Sequence, residues 1–220
     1  MVIKNQVGYS LVELLVALVI SLIVMGGIYL TSISQERNLH IEDRVAELQA
    51  NLRAGIYLLE RDLRLAGYDP VCISPPCYNV GFTNASATSL TFSMRKPDTN
   101  AIQTISYSLY DSQGDGDNDL GRAVDGSGNQ PLILNVDAVN FVYFDKSGNR
   151  LTTLPLSASD LKKVKAVEVT VVAHSEIPDP NYTSTTPFKN LQGDTVFTPS
   201  SNDHLRRRSI SSRILCRNTF

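Results

Sequence analysis

The sequence has little from which to build a catalytic centre. Its three histidines, His40, His174 and His204, are far apart and share no metal-ligand spacing. Its three cysteines include no C-x-x-C pair and form no Cys/His cluster, so nothing matches a zinc site. Serines are many, but no G-x-S-x-G elbow and no glycine-rich phosphate loop accompanies them. These absences exclude the common hydrolase, zinc and nucleotide-binding readings, and the chain is expected not to be an enzyme. An excess of one charge is also missing. Lys and Arg number 20 against 22 Asp and Glu, a net charge of −2, which gives no overall basic field for nucleic acid. There is no internal repeat. The 220 residues suffice for one domain of about 100–150 residues plus an extended element.

What is present is unevenly spread. Leu14 to Leu30 carries no charge. With Leu11, Val12 and Ile33 it is long enough to span a bilayer, which takes about 20 residues. A cleaved secretory signal fits poorly, because the apolar core is too long and no A-x-A pattern follows it. An ordinary membrane anchor accounts for the length but not for Glu13. A central carboxylate costs roughly 2.5–3.5 kcal/mol in lipid, less near an interface. Either Glu13 snorkels to the membrane surface, or it awaits a cationic partner inside an assembly. A cut just before Tyr9 would create such a cation, a free α-amino group. The leader in front of that point, MVIKNQVG, has one basic residue, Lys4, the sign expected for the cytoplasmic side.

Gly8-Tyr9-Ser10-Leu11-Val12-Glu13 followed by LLVALVISLIVMGG resembles the type IV prepilin signature. That signature is a short leader ending in Gly, an aromatic at the first mature position, Glu at the fifth, then an apolar helix. Tyr9 stands where Phe is commoner. The resemblance implies cleavage after Gly8 by a prepilin peptidase and N-methylation of the new terminus at Tyr9. It also implies that Glu13 neutralises the N-terminal amine of a neighbouring subunit.

Beyond the apolar run, Ile41, Val45, Leu48, Leu52, Ile56, Leu59 and Leu63 recur at steps of three and four, one face of an amphipathic helix. Glu60 and Arg64 are spaced to pair at i,i+4. Gly67 suits a C-cap and Pro70 blocks continuation. No strong breaker separates this helix from the apolar segment, so one helix from about Ser10 to Ala66 is predicted, roughly 85 Å long. Its stripe could form a coiled-coil seam; cover by the C-terminal domain is the preferred reading. LLERDLRLAGY, Leu58 to Tyr68, is similar to the end of the long helix in PilW-like minor pilins and in the larger pseudopilins of type II secretion.

After Pro70 the helical period disappears. Ser89–Met94, Ile102–Tyr110, Pro131–Val136, Val139–Asp145, Val164–His174 and Arg206–Cys216 read as strands. Ser175–Asp203 reads as a long loop. Asp111 to Arg122 suggests a ligand. Read as a calcium loop, Asp111, Gln113 and Asp115 take positions one, three and five, Asp117 offers its carbonyl, and Asp119 falls at position nine. Arg122 stands where a bidentate Glu is needed, and no helix flanks the stretch. The competing reading is a solvated acidic hairpin turn. Arg206-Arg207-Arg208 could touch DNA or anionic lipid, but a short run in an alternating strand reads better as a solvated face. His174 ends an apolar strand and reads as packed.

The implied architecture is α+β and type IV pilin-like: leader 1–8, transmembrane and assembly helix 9–33, amphipathic helix 34–68 and a β-rich globular domain 69–220. The long helix packs on an antiparallel sheet. In a translocated domain, Cys72 and Cys77 are expected to close a small disulfide loop, while the state of Cys216 is open. The implied function is that of a minor type IV pilin promoting pilus assembly near the tip. Its expected partners are a prepilin peptidase, other major and minor pilins, the inner-membrane assembly platform and membrane lipid. It would rest in the inner membrane with its globular domain in the periplasm before joining a pilus at the cell surface. The alternatives are a J-type pseudopilin of type II secretion, or a pilus-mounted adhesin or calcium-binding module. Mass spectrometry of the mature protein is expected to find Tyr9 at its N-terminus, and replacing Gly8 is expected to leave the leader attached. A mature chain beginning at Met1, or after Ser34, would contradict the processing account.

Overall fold

A computed structural model describes residue 8, residues 10–72 and residues 80–219. Leader residues 1–7, Tyr9 and Cys77 lie outside the described residues. The chain forms two compact units, Met1–Arg44 and Val45–Phe220. Helix α1 runs over Leu11–Leu65, within one residue of the predicted bounds at each end. In the first unit the uncharged run Leu14–Leu30 is exposed and apolar on every side, and the segment is long and apolar enough to cross a membrane. A helix of this kind needs lipid or other helices around it. Ser21 and Thr31 donate their hydroxyls to Ala17 O and Gly27 O at 2.8 and 2.9 Å, so neither demands an outside partner. The helix continues unbroken through Gly26-Gly27.

In the second unit the predicted stripe is the buried one. Leu48, Leu52, Ile56, Leu59 and Leu63 are all at or below 6% exposure. They join a single core with two sheets. The first sheet is an antiparallel meander of β1 (Gly81–Ala85), β2 (Leu90–Arg95), β3 (Ile102–Tyr110), β4 (Asp119–Val124) and β5 (Gln130–Ile133). The second has β6 (Val136–Phe144), β7 (Arg150–Leu151), β8 (Ala166–His174) and β11 (Arg207–Leu215) in the order β11-β8-β6-β7. A short helix α2 (Ala158–Leu161) precedes β8, and β9 (Phe188–Lys189) pairs with β10 (Thr195–Phe197) inside the stretch expected to be one long loop. Every residue of β8 is buried, which is why its sequence, AVEVTVVAH, lacks the alternation of a one-sided strand.

One predicted strand needs correcting. Pro131–Val136 is not one strand: Ile133 ends β5 in one sheet and Val136 begins β6 in the other. Asn135 between them takes φ 55°, a left-handed conformation that Asn tolerates, and its N–H goes to Asp119 Oδ1 at 2.9 Å. Strands β1 and β4 were not foreseen. GFTNA and DLGRAV are short, and polar or glycine-bearing residues interrupt their apolar pattern.

The helix ends as predicted. Gly67 takes φ 77°, and a Cβ there would stand 2.8 Å from Asn218 O. Asn218 Nδ2 donates to Arg64 O at 2.8 Å, satisfying one of the last carbonyls. Gly55 was not singled out by periodicity, yet a Cβ on it would lie 2.1 Å from Ile133 Cγ1. The absent side chain lets β5 approach the helix. Helix propensity alone makes Gly55→Ala a gain of about 1 kcal/mol. Overpacking against Ile133 is expected instead to destabilise the protein by about 1–3 kcal/mol in denaturant unfolding. Adding Ile133→Val should recover part of the loss, and a more stable Gly55→Ala protein would contradict the close approach.

Candidate functional site

At the head of α1 the backbone N–H of Ser10 donates to Glu13 Oε2 at 3.0 Å. Ser10 Oγ in turn accepts from the Val12 N–H at 3.4 Å. Ser10-Leu11-Val12-Glu13 is therefore a capping box. Its S-x-x-E pattern was available in the sequence but was overlooked beside the charge in the apolar run. Glu13 also places negative charge where the helix dipole is positive. The box uses one carboxylate oxygen; Oε1 has no partner among the described residues, and the residue is exposed. Glu13 thus serves its own helix and retains an oxygen for a second donor. Gly8 is exposed with open space around its Cα. Tyr9, the expected first mature residue, lies outside the described residues.

In the globular unit, Asp62 on α1 is 2% exposed and gathers two hydrogen-bond donors and a further cation. Tyr107 Oη donates to Oδ2 at 2.8 Å, Arg122 Nε to the same atom at 2.6 Å, and Arg61 Nη2 lies 3.7 Å from Oδ1. Burial first, and then the Asp62 charge, push the Tyr107 phenol far above its ordinary range, so it remains the donor. Arg122, which stands where a calcium loop would need a bidentate Glu, sits on β4 and ties the first sheet to the helix.

The other residues of that loop are spread over different tasks. Asp111 accepts the N–H groups of Gly114 at 2.6 Å, Gly116 at 3.0 Å and Gln113 at 3.2 Å. The Gly116 and Gly114 bonds hold its carboxyl below the usual range. Asp115 Oδ1 accepts the Asp117 N–H at 3.0 Å. Asp119 is buried, takes the N–H and hydroxyl of Ser112 on Oδ2, and takes the Asn135 N–H on Oδ1. Asp117 faces His174. Their carboxylates organise a hairpin between β3 and β4 and do not converge. Among the described residues no group of three or more His, Cys, Asp or Glu side chains is arranged to hold a metal ion.

The arginine run is not the solvated face expected of it. Arg206 places Nε and Nη2 2.8 and 2.6 Å from Asp179 Oδ2. Arg207 is buried, forks onto Asp137 at 2.8 and 3.1 Å and reaches Asp203 at 2.7 Å. Two of the three charges are thus neutralised within the fold, which removes most of the basis for nucleic-acid contact.

His174 is packed, as its strand suggested, but among charges. Nδ1 lies 3.2 Å from Asp137 Oδ2 without a well-directed hydrogen bond, and Nε2 lies 3.5 Å from Asp117 Oδ2. Burial and the Arg207 charge oppose protonation, but Asp137 and Asp117 outweigh them and raise the imidazole above its ordinary value. Burial likewise works against the Asp137 charge, yet His174 and Arg207 hold that carboxyl low. The sign follows from linkage. A raised histidine stabilises the fold fully below its unfolded value of about 6.5, and that stability is lost as pH rises through the folded value. Thermal unfolding midpoints are expected to fall from pH 6 towards pH 8 (about 6.5 being the onset), and His174→Gln is expected to remove most of that slope. An unchanged slope in the variant would contradict the assignment.

Residues 3–29 match the family model described as the prokaryotic N-terminal methylation motif. No curated protein matches the chain. Among solved structures, a type IV-like pilin from Thermus thermophilus superposes with a TM-score of 0.53 at 14% sequence identity, covering 79% of this chain and 98% of the other. At that identity the likeness speaks for the fold. The chain therefore has a type IV pilin-like fold, and its N-terminus carries the methylation motif that is the type IV prepilin signature.

Proposed function

We propose that this protein is a minor type IV pilin of the PilW-like kind, cut after Gly8, methylated at Tyr9 and incorporated into a pilus whose assembly it promotes near the tip. The observation that carries the proposal is the divided role of Glu13. It caps a helix whose first turns are exposed and apolar with one oxygen and leaves the other unengaged among the described residues. Before assembly the helix rests in the inner membrane, with the globular unit in the periplasm. On joining a filament it exchanges lipid for the apolar helices of other pilins, at little hydrophobic cost. The neighbour's N-terminal amine then meets Glu13 in a low-dielectric core, where an unpaired charge is severely penalised. That penalty makes the contact selective and sets the stagger between subunits.

The partners are a prepilin peptidase, other pilins, the inner-membrane assembly platform and lipid. A Cys72–Cys77 bridge belongs to the same reading: Cys216 is a buried free thiol, and burial pushes it up to about 12, so it is a poor competitor for disulfide exchange. Calcium has no convergent donor set in the Asp-rich turn as folded, and the proposal includes none. The test is Glu13→Val. Membrane fractions should contain the variant, with its leader removed, at wild-type level, while sheared pili should lack it and be fewer. Normal incorporation of Glu13→Val would overturn the assembly role.

A further inference from the structure

The stretch from Ser175 to Leu205 contributes no residue to the hydrophobic core, yet much of it is firmly anchored. Asp179 N donates to His204 O at 2.9 Å and Ser184 N to Asp203 O at 3.1 Å. His204 Nδ1 lies 2.6 Å from Tyr182 O, and the Arg206 guanidinium sits 4.5 Å from the centre of the Tyr182 ring. These contacts, with the Asp179–Arg206 fork, order a polar segment that fills no core. Ordering of that kind costs entropy and lowers the cost of binding a ligand on the ordered surface.

The ordered segment Tyr182–Phe188 forms one wall of a groove of about 510 Å³, and Arg207–Ser209 at the start of β11 forms the other. That volume lies within the range of about 300–1,000 Å³ typical of small-ligand sites. Thr183, Thr185, Thr186 and Ser209 line it, are exposed, and have hydroxyls without an intramolecular partner among the described residues. Phe188 adds a half-buried ring. Arg206 and Arg207 are neutralised by Asp179, Asp137 and Asp203, whereas Arg208 has no carboxylate partner among the described residues. Its Nη1 donates to Arg207 O at 2.9 Å, which orients the guanidinium and leaves Nη2 available.

We infer that this groove binds a saccharide bearing a carboxylate. Hydroxyls that both donate and accept match the hydroxyls of a sugar. The oriented guanidinium matches a carboxylate in geometry and charge. The Phe188 ring offers an apolar face to the C–H groups of a pyranose. One unpaired cation is too few for a nucleic-acid backbone, whose affinity comes from many phosphate contacts. The lining is too rich in hydroxyls for an apolar ligand.

The site does not depend on the assembly role, and its test is separate. The full-length processed protein in detergent micelles is titrated calorimetrically with oligogalacturonate and with sialyllactose; maltohexaose is the neutral control and oligoglutamate the peptide control. Saturable binding of at least one acidic saccharide, and neither control, is expected. Arg208→Gln should weaken it about tenfold. Arg217→Gln, the same charge change at an exposed arginine away from the groove, should leave it unaltered. Thr185→Val with Thr186→Val should also weaken binding, and this pair carries the test if Arg208→Gln fails to fold. No saturable binding of either acidic saccharide, equal loss in the Arg217→Gln protein, or tighter binding of oligoglutamate would overturn the inference.

Discussion

The structure depends first on where one carboxylate directs its two oxygens. Glu13 sits three residues into a helix whose first turn leaves backbone N–H groups without helical partners. Oε2 takes the Ser10 N–H, closing a box that Ser10 Oγ completes from the other side. This supplies a reason for the charge that exists within a single chain. Under the proposed function, the second oxygen supplies a reason that reaches beyond it. A carboxylate engaged on both oxygens would have little to offer an incoming amine. A carboxylate with no local partner would be held loosely and would face lipid unaided. The capping box fixes the side chain while leaving half of its acceptor capacity open.

The globular unit shows the same economy of means at its own helix segment. Apolar packing of Leu48, Leu52, Ile56, Leu59 and Leu63 supplies the bulk of the attraction. Orientation comes from features that the apolar stripe does not encode. Gly55 allows β5 to approach, and Asp62 collects Tyr107 and Arg122 from neighbouring strands. A buried carboxylate with two such donors is satisfied. Removing either donor would leave charge stranded in a dry setting, so the trio fixes which strands lie against the helix.

The long-range periodicity of the helix was legible in the sequence because its apolar positions repeat over many turns, and each turn adds to the signal. The β3 boundaries were equally legible, since IQTISYSLY spaces β-branched and aromatic residues along its length and contains no glycine or proline. β1 and β4 were not, because their burial is imposed by neighbouring strands and leaves little mark on GFTNA or DLGRAV. The acidic turn was open to two readings in the sequence. Aspartates close in sequence resemble a ligand set, but Asp111 turns to backbone amides, Asp117 to His174 and Asp119 to the interior. The arginine run misled: three adjacent cations look solvated until the fold delivers Asp137, Asp179 and Asp203 to two of them. Gly8, Tyr9 and Glu13 stood out through their spacing, while the S-x-x-E cap overlapped the same residues and was hidden by the more conspicuous charge.

Two roles for Glu13 make different demands on its side chain. Capping needs an acceptor oxygen, which glutamine provides. Pairing with an amine in a dry core needs a negative charge, which glutamine lacks. The decisive measurement is therefore the fraction of Glu13→Gln protein found in sheared pili, with helix content and leader removal checked by circular dichroism and mass spectrometry. The account predicts a capped, processed helix that is excluded from pili. Wild-type incorporation of Glu13→Gln would show that the carboxylate serves only its own helix.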